Sequence, residues 1–497
     1  MSSIDEIRNA RIAKLEILKK KGINPYPTDS KRELTLQEAS DLFADLEKNG
    51  EKKWIAGRIM SIRGQGAIIF ITLNDGTGEF QGLLKKDVLE GEQFDFFNEV
   101  VDIGDFLEIE GNFFTTKRGE KTLEAKDWRM LAKSLRPLPE KWHGLQDIEE
   151  RFRKRYLDIL MNEKARERLL LRSQVVSLVR KFYNDDGYIE VETPRLQTVA
   201  GGATAKPFMT HHNTLGVDFF LTIAQELYLK MLLVGGLTKV YEIGRKFRNE
   251  GIDATHNPEF TMLESQEVYG NAKMGREFIE KLFKYLIKEI FHADKVTIDG
   301  VELDFSKDFV VISFYDLLKK YTEIKDPVKA TEKELAKYAD EIGVGIEPNE
   351  SKENILDSIY KKLCRSKLVQ PTFIIDYPVA FNPFAKRKED DPSMIDRFQL
   401  VISGLELVNA FSELNNPIDQ RERYLEQDKK GKGGAEEISP TDLAYLEAME
   451  YGMPPNGGIG IGIDRLAMFL SGAKNIKEVI LFPTMKPVGE DKKSQRY

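Results

Sequence analysis

The chain has 497 residues, enough for about three domains of roughly 150 residues, and its 41% hydrophobic content excludes disorder over most of its length. Its charged fraction of 31% exceeds the roughly 25% of average composition and indicates a well-solvated surface. The net charge of −8, from 74 basic and 82 acidic residues, excludes a whole-protein attraction to polyanions and leaves nucleic-acid binding to local placement of Lys and Arg.

No run approaches the ~18 consecutive apolar residues of a membrane helix. The first 22 residues lack the apolar core of a secretory signal, so a cytoplasmic protein with no membrane partner is expected. The single cysteine, Cys364, excludes intramolecular disulfides and a Cys-built zinc site. His143, His211, His212, His256 and His292 form no metal-ligand spacing, and no transition metal is expected.

Residues 1–22 carry six Lys/Arg against three Asp/Glu, beside apolar Ile4, Ile7, Ile12, Leu15 and Leu18. Two compatible readings fit: an amphipathic helix packed on the body, and an electrostatic arm for RNA. From Trp54 to Leu131 the pattern is strand-like. Residues 68–84 alternate around Asn74-Asp75-Gly76, a hairpin signal, and 105–114 and 121–131 add further runs. Five short strands in this length predict a small barrel, an OB-fold being the kind that suits them.

A Pro- and charge-rich connector occupies 135–160. Leu171, Val175, Leu178, Val179 and Phe182 then repeat at helical spacing, with a stop near Gly187. Strand-like runs follow at 218–223, 239–247, 259–268, 399–411 and 457–463. The segment 315–366 is rich in Lys, Glu and Leu and reads as a helical insertion, and Lys429–Glu437 as a loop. The expected organisation is α+β: an N-terminal helical extension (1–52), a barrel (53–134), the connector, and a large domain (161–497) with its insertion at about 315–370.

The sequence has no Walker phosphate loop. In GGIGIGIDR (457–465) the isoleucines alternate as on a strand, and the intervening glycines would let a ligand approach one face of a sheet. Three segments belong together: GYIEVETPRLQTVAGGATAKPF (187–208), VYEIGRKFRNEGIDATHNPEFTMLE (240–264) and GGIGIGIDRLAMFL (457–470). They resemble motifs 1, 2 and 3 of the class II aminoacyl-tRNA synthetases. With the barrel-like region, nearly the whole chain resembles the lysyl-tRNA synthetases.

The resemblance implies an antiparallel sheet flanked by helices, a homodimer through motif 1, and ATP-dependent activation of L-lysine followed by transfer to tRNA(Lys). Arg248 matches the arginine that offers a planar fork of donors to the α-phosphate and the lysine carboxylate. Phe260 matches the ring stacked on adenine, and Arg465 the cation on its other face. Glu250, Asn257 and His256 match residues at the adenine and phosphate edges, and Glu406 a magnesium ligand. Glu226 and Glu413 match the two residues holding the lysine ε-ammonium, and Glu264 the one aimed at the α-ammonium. Gly202, Asn409 and Phe411 complete the matching pocket. In the barrel, Arg63, Phe70 and Gln81 match positions facing the anticodon. Plain packing remains an alternative for Phe260 and Phe70, a structural hydrogen bond for His256, and a surface salt bridge with Glu250 for Arg248.

Four positions depart from the family pattern. Gln266 stands where a tyrosine usually touches the substrate side chain, and Gln399 where a second magnesium glutamate is usual. Gln225 replaces a common proline and Ala410 a common glycine. The activation step needs no protein base, because the carboxylate is already an anion; alignment and charge compensation carry it. Two other functions compete: a lysine ligase acting on a translation-factor protein, and a non-catalytic RNA-binding protein built on a synthetase.

Overall fold

The computed structural model describes residues 3–139, 145–346, 350–432 and 438–487. His143, residues 140–144 of the connector and 433–437 of the expected loop lie outside them. The chain divides into two compact units, Met1–Leu145 and Gln146–Tyr497.

The first unit begins with α1 (Ile4–Lys20), α2 (Leu36–Asp41) and α3 (Phe43–Asn49). Ser3 with Glu6 and Thr35 with Glu38 form reciprocal capping boxes, which satisfy backbone donors at the starts of α1 and α2. The α1 helix packs on its own unit. Leu18 is buried, and the Arg11 guanidinium donates to the Ile103 carbonyl at 2.9 Å and the Arg136 carbonyl at 3.0 Å.

Strands β1 (Lys52–Gln65), β2 (Ile68–Asn74), β3 (Glu79–Lys85), β4 (Phe106–Thr115) and β5 (Lys121–Ala132) close a barrel in the order β1-β2-β3-β5-β4, with α4 (Gly91–Val100) between β3 and β4. This is the OB arrangement. The hairpin after β2 is fixed by side chains: Asn74 Oδ1 accepts from the Gly76 amide at 2.9 Å and Asp75 Oδ1 from the Thr77 amide at 2.9 Å. The barrel interior is filled by Ile55, Ile71, Leu84, Leu107, Ile109 and Leu123, each from the inward face of its strand.

The second unit opens with α5 (Ile148–Arg153), α6 (Arg155–Met161) and α7 (Glu163–Asp185). Short strands β6 (Ile189–Glu190), β7 (Leu196–Gln197), β8 (Met209–His212) and β9 (Val217–Leu221) lead to α8 (Glu226–Val234). Next come β10 (Lys239–Phe247), β11 (Glu259–Val268), α9 (Ala272–Phe291) and the small pair β12 (Lys295–Ile298) and β13 (Val301–Asp304). After β14 (Val310–Ser313), the insertion holds α10 (Phe314–Tyr321), α11 (Glu332–Glu341) and α12 (Lys352–Ile359). The chain then forms β15 (Thr372–Pro378), β16 (Met394–Ile402), β17 (Leu405–Ser412), α13 (Pro417–Lys432), α14 (Leu443–Glu450), β18 (Asn456–Gly462) and α15 (Ile463–Leu470).

Eight strands form one sheet in the order β14-β15-β16-β17-β18-β11-β10-β6. Its interior pairs are antiparallel, and the outermost pair at each edge, β14 with β15 and β6 with β10, is parallel. Val175, Val179 and Tyr183 of α7 and Ile279, Leu282 and Phe283 of α9 pack with Leu263, Leu400, Val408 and Ile461 of the sheet. A second core joins the insertion to β15, α8 and α14 through Leu317, Leu356, Ile374, Leu227 and Leu446.

Two expectations are corrected. The run 399–411 is not one strand: Ser403 (φ 49°) and Gly404 (φ 73°) turn the chain back between β16 and β17. Residues 429–432, expected in a loop, are the last turn of α13. Among the described residues no helix is long and apolar enough to cross a membrane.

Candidate functional site

Two adjoining cavities lie on the sheet face formed by β11, β17 and β18. The first, about 220 Å³, is lined by all seven expected nucleotide-site residues: Arg248, Glu250, His256, Asn257, Phe260, Glu406 and Arg465. The second, about 280 Å³, is lined by all six expected lysine-site residues: Gly202, Glu226, Glu264, Asn409, Phe411 and Glu413. Arg248, Met262, Asn409 and Gly460 belong to both linings, so the two cavities meet at Arg248.

Strand pairing explains the convergence. Met262, Glu264 and Gln266 alternate onto one face of β11, opposite Gly462, Gly460 and Gly458 of β18. The glycines make that face a floor: a Cβ on Gly458 would lie 1.9 Å from Glu413 Oε1. On β17 a bulge at Leu407 interrupts the alternation, since Leu400 pairs with Val408 but Val401 with Glu406. The extra residue lets Glu406 and Asn409, three apart, line the same cleft.

In the first cavity the Arg248 guanidinium stands 5.2 Å from the centre of the Phe260 ring. Its one described hydrogen bond is to the Ile223 carbonyl at 3.5 Å, while its Nε is buried without a partner. Burial holds its pKa below the ordinary arginine value, although Glu250 and Glu264 oppose that. Phe260 is half-buried, lines the cleft and is not part of the main core cluster. Arg465 donates to the Thr255 carbonyl at 3.3 Å and approaches His256 Nε2 at 2.7 Å. An arginine N–H only donates, so Nε2 is the acceptor and the ring proton sits on Nδ1, facing Asp253 at 2.8 Å. His256 therefore has a structural hydrogen-bonding role and also lines the cleft. Asp464, part of the same lining, braces this wall, accepting from the Thr261 amide at 2.7 Å and from Arg172 at 2.9 Å.

Gln399, expected to join Glu406 as a metal ligand, is not among the lining residues of the cleft. It is buried, and its Oε1 accepts from the Tyr377 hydroxyl at 2.6 Å. Among the described residues no group of three or more His, Cys, Asp or Glu is arranged to hold a metal. The carboxylates that line the cleft are those of Glu250, Glu406 and Asp464.

The second cavity is built from buried charge. Glu413 is fully buried just beyond β17, with Oε1 accepting from Gln266 Nε2 at 2.7 Å. Glu226 starts α8, and its Oε1 lies 2.6 Å from Nζ of Lys230 one turn on. Lys230 also pairs with Glu413 Oε2. Burial raises both carboxyls above the usual carboxylate range. Burial also opposes charging Lys230, yet the two glutamates hold it protonated well above an ordinary lysine. Glu264 Oε2 accepts from the Gln225 amide at 2.6 Å. The Gln225 side chain bonds Lys246, whose burial pushes its pKa down to about 8. Ala410 belongs to the core on the opposite face of the sheet and does not reach the cavity.

Sequence reasoning missed Lys230 and Arg397. The first had a signal, a lone lysine four residues after Glu226 in the apolar helix ELYLKMLLV. Arg397 had none: it lines the second cavity and donates to Asn409 Oδ1 at 2.8 Å only because β16 pairs with β17.

In the barrel unit Arg63, Phe70 and Gln81 line an open groove of about 1000 Å³ with Lys85, Lys117, Arg118 and Lys121. Arg63 pairs directly with Phe70 and Thr72 with Gln81, so the three share one sheet face. Phe70 is half-buried and outside the barrel core.

Residues 53–131 match the family of OB-fold nucleic acid binding domains. The chain is 44% identical over 486 residues to a lysine–tRNA ligase of Pelotomaculum thermopropionicum, covering 97% of this chain and 96% of the relative. It is 45% identical over 468 residues to a lysine–tRNA ligase of Aquifex aeolicus (93% and 78%), and 44% over 497 residues to one of Dehalococcoides mccartyi (99% and 99%). Residues 147–486 match the model of the class II tRNA synthetases (D, K and N), and the chain belongs to that family.

Proposed function

We infer that the protein is a lysine–tRNA ligase, which activates L-lysine with ATP to lysyl-adenylate and pyrophosphate and then esterifies the 3′ end of tRNA(Lys). The observation that carries this reading is the junction at Arg248. A cleft of arginines and one stacking ring meets a pocket of carboxylates at a single guanidinium. Adenine would stack on Phe260 and be covered by Arg465, with Glu250 and Asn257 at its edges and His256 toward the terminal phosphates.

Arg248 would bridge the α-phosphate and the lysine carboxylate, orienting the oxygen for in-line attack and offsetting charge as it grows on phosphorus. Its unpartnered Nε and weak carbonyl contact leave donors for those anions. Glu264 would receive the α-ammonium, and Glu226 and Glu413 the ε-ammonium, over a floor shaped by Gly202, Asn409 and Phe411. Glu406 would hold magnesium together with the ATP phosphates; when bound, the ion supplies charge compensation to them. Gln399 would act through Tyr377 rather than as a ligand, a reading its hydrogen bond supports.

The groove of Arg63, Phe70 and Gln81 would bind the anticodon, by stacking and edge hydrogen bonds in a basic setting. We also propose a homodimer through the first motif region, where Leu170, Ile189, Leu196, Met209, Leu215 and Val217 are exposed apolar residues of α7 and β6–β9. The proposed location is the cytoplasm, where tRNA is charged. Incubation with ATP, magnesium, labelled lysine and a tRNA(Lys) transcript should yield base-labile lysyl ester on the tRNA. Lysine transferred to protein instead, or no transfer after activation, would contradict the reading.

A further inference from the structure

The pocket that would take the substrate's ε-ammonium already holds one. Lys230 Nζ is fully buried, 2.6 Å from Glu226 and paired with Glu413. The rings of Phe384, Phe411 and Tyr445 surround it at 5.2, 5.8 and 5.8 Å. Glu413 is thus engaged at both oxygens, by Gln266 at one and Lys230 at the other. Glu226 uses one oxygen for Lys230, and its side chain stays 15% exposed at the cavity.

Two buried carboxylates alone would repel each other and carry two charges. Ionised together, the three side chains sum to a single negative charge, the complement of one further monocation, and such a cation favours the ionised form that burial opposes. Removing Lys230 would leave both glutamates without their organising partner, in a place where an unpaired buried charge is costly.

We propose that Lys230 is a specificity-determining positioning residue, a built-in counter-cation that fixes Glu226 and Glu413 and leaves room for one substrate ammonium. The inference rests on the lysine-activating reading above and names how that pocket sets its charge. A lysine serving only to tie α8 to the strand end would be replaceable by any side chain that fills the space. One that merely occupies the empty pocket would compete with substrate, and its loss would lower the lysine KM.

The test is lysine-dependent pyrophosphate exchange by the full-length protein and its Lys230→Met and Lys230→Ala variants. Lys230→Met keeps the volume and removes the charge. Its lysine KM should rise at least about tenfold, as expected when one partner of a buried charge group is removed, while the KM for ATP stays within about twofold. Lys230→Ala should show the same defect and recover in added methylammonium, but not in the neutral isostere ethane; Lys230→Met, with the space filled, should not recover.

An unchanged or lowered lysine KM in Lys230→Met, or no recovery of Lys230→Ala with methylammonium, would overturn the proposal. If Lys230→Ala is unfolded by circular dichroism, Lys230→Met and the charge-retaining Lys230→Arg carry the test, with Arg expected nearer to native. Failure of all three to fold would make Lys230 a folding residue and overturn the proposal. Native protein inactive in lysine-dependent exchange would instead defeat the function reading itself.

Discussion

The two cavities of the larger unit share a wall and handle charge in opposite ways. In the amino-acid pocket the charges are largely buried and mutually paired: Lys230 lies between Glu226 and Glu413, and Gln266 takes the remaining Glu413 oxygen. In the nucleotide cleft Arg465 is bonded to Thr255 and His256, but Arg248 lines the open space with a buried donor that has no partner. The lesson is about what each site must select. Telling one side-chain ammonium from other side chains calls for fixed, dry carboxylates. Holding a polyanion whose charge shifts during reaction calls for donors not yet spent on the protein.

Arg248 is the point at which the two designs meet, so its loss should have the largest effect. Arg248→Ala should reduce lysine-dependent pyrophosphate exchange by about a thousandfold, the scale of losing a key transition-state donor. Both substrates should be affected, and a defect confined to the lysine KM would break the shared-wall account.

Glu413→Gln should act on one side only. Removing one partner of a buried charge group costs ~2–5 kcal/mol, a loss of at least about thirtyfold in lysine activation. The KM for ATP should stay near native. Near-native lysine efficiency in this variant would remove Glu413 from the site.

The barrel groove supplies a control outside both cavities. Base stacking contributes ~1–3 kcal/mol per base, so Phe70→Ala should lower tRNA charging by about tenfold or more. Pyrophosphate exchange should be unchanged, because that step does not involve the anticodon. A parallel fall in both would make Phe70 a packing residue.

The smallest effect concerns stability. Burial works against charging Asp102, but Lys133 at 2.5 Å and Lys14 at 2.7 Å outweigh it and hold its carboxyl below the usual range. A carboxyl with a depressed folded pKa stabilises at pH above its unfolded value, and this contribution is lost as pH falls through the folded one. Trp54 and Trp128 lie in the barrel strands, so tryptophan fluorescence during urea unfolding reports on this unit. Asp102→Asn should be less stable than native at pH 7, with the gap closing below about pH 4, near and beneath the ordinary carboxyl value. A gap independent of pH would assign the effect to lost packing.

Much of the architecture was legible locally. The alternation of residues 68–74, the Asn-Asp-Gly turn and the helical repeat through Val175 and Val179 each point to the element that forms. The turn at Ser403-Gly404 was also marked, since Ser-Gly is a turn dipeptide, but the apolar runs on both sides of it read as one strand. Arg248, Glu250, His256, Asn257, Phe260 and Arg465 of the first lining and Gly202 and Glu264 of the second lie within the three motifs, whereas Glu226, Glu406, Asn409, Phe411 and Glu413 were named only through the wider resemblance. What the motifs left out depends on pairing between distant segments. Arg397 reaches the pocket through the β16–β17 register, and Gln399 is diverted by a hydroxyl from β15. Lys230 was visible as an oddity in an apolar helix, but its second partner lies 183 residues away in the chain.

The central claim is that paired buried carboxylates choose a side chain with one ammonium. Pyrophosphate exchange by the native protein, run with each of the twenty amino acids and with ornithine and norleucine, tests it most directly. Lysine should support exchange far above all others, with ornithine weak for want of length, norleucine inactive for want of charge and arginine excluded by its planar, larger head. Exchange driven as well by norleucine, or by an acidic or amide side chain, would contradict the account.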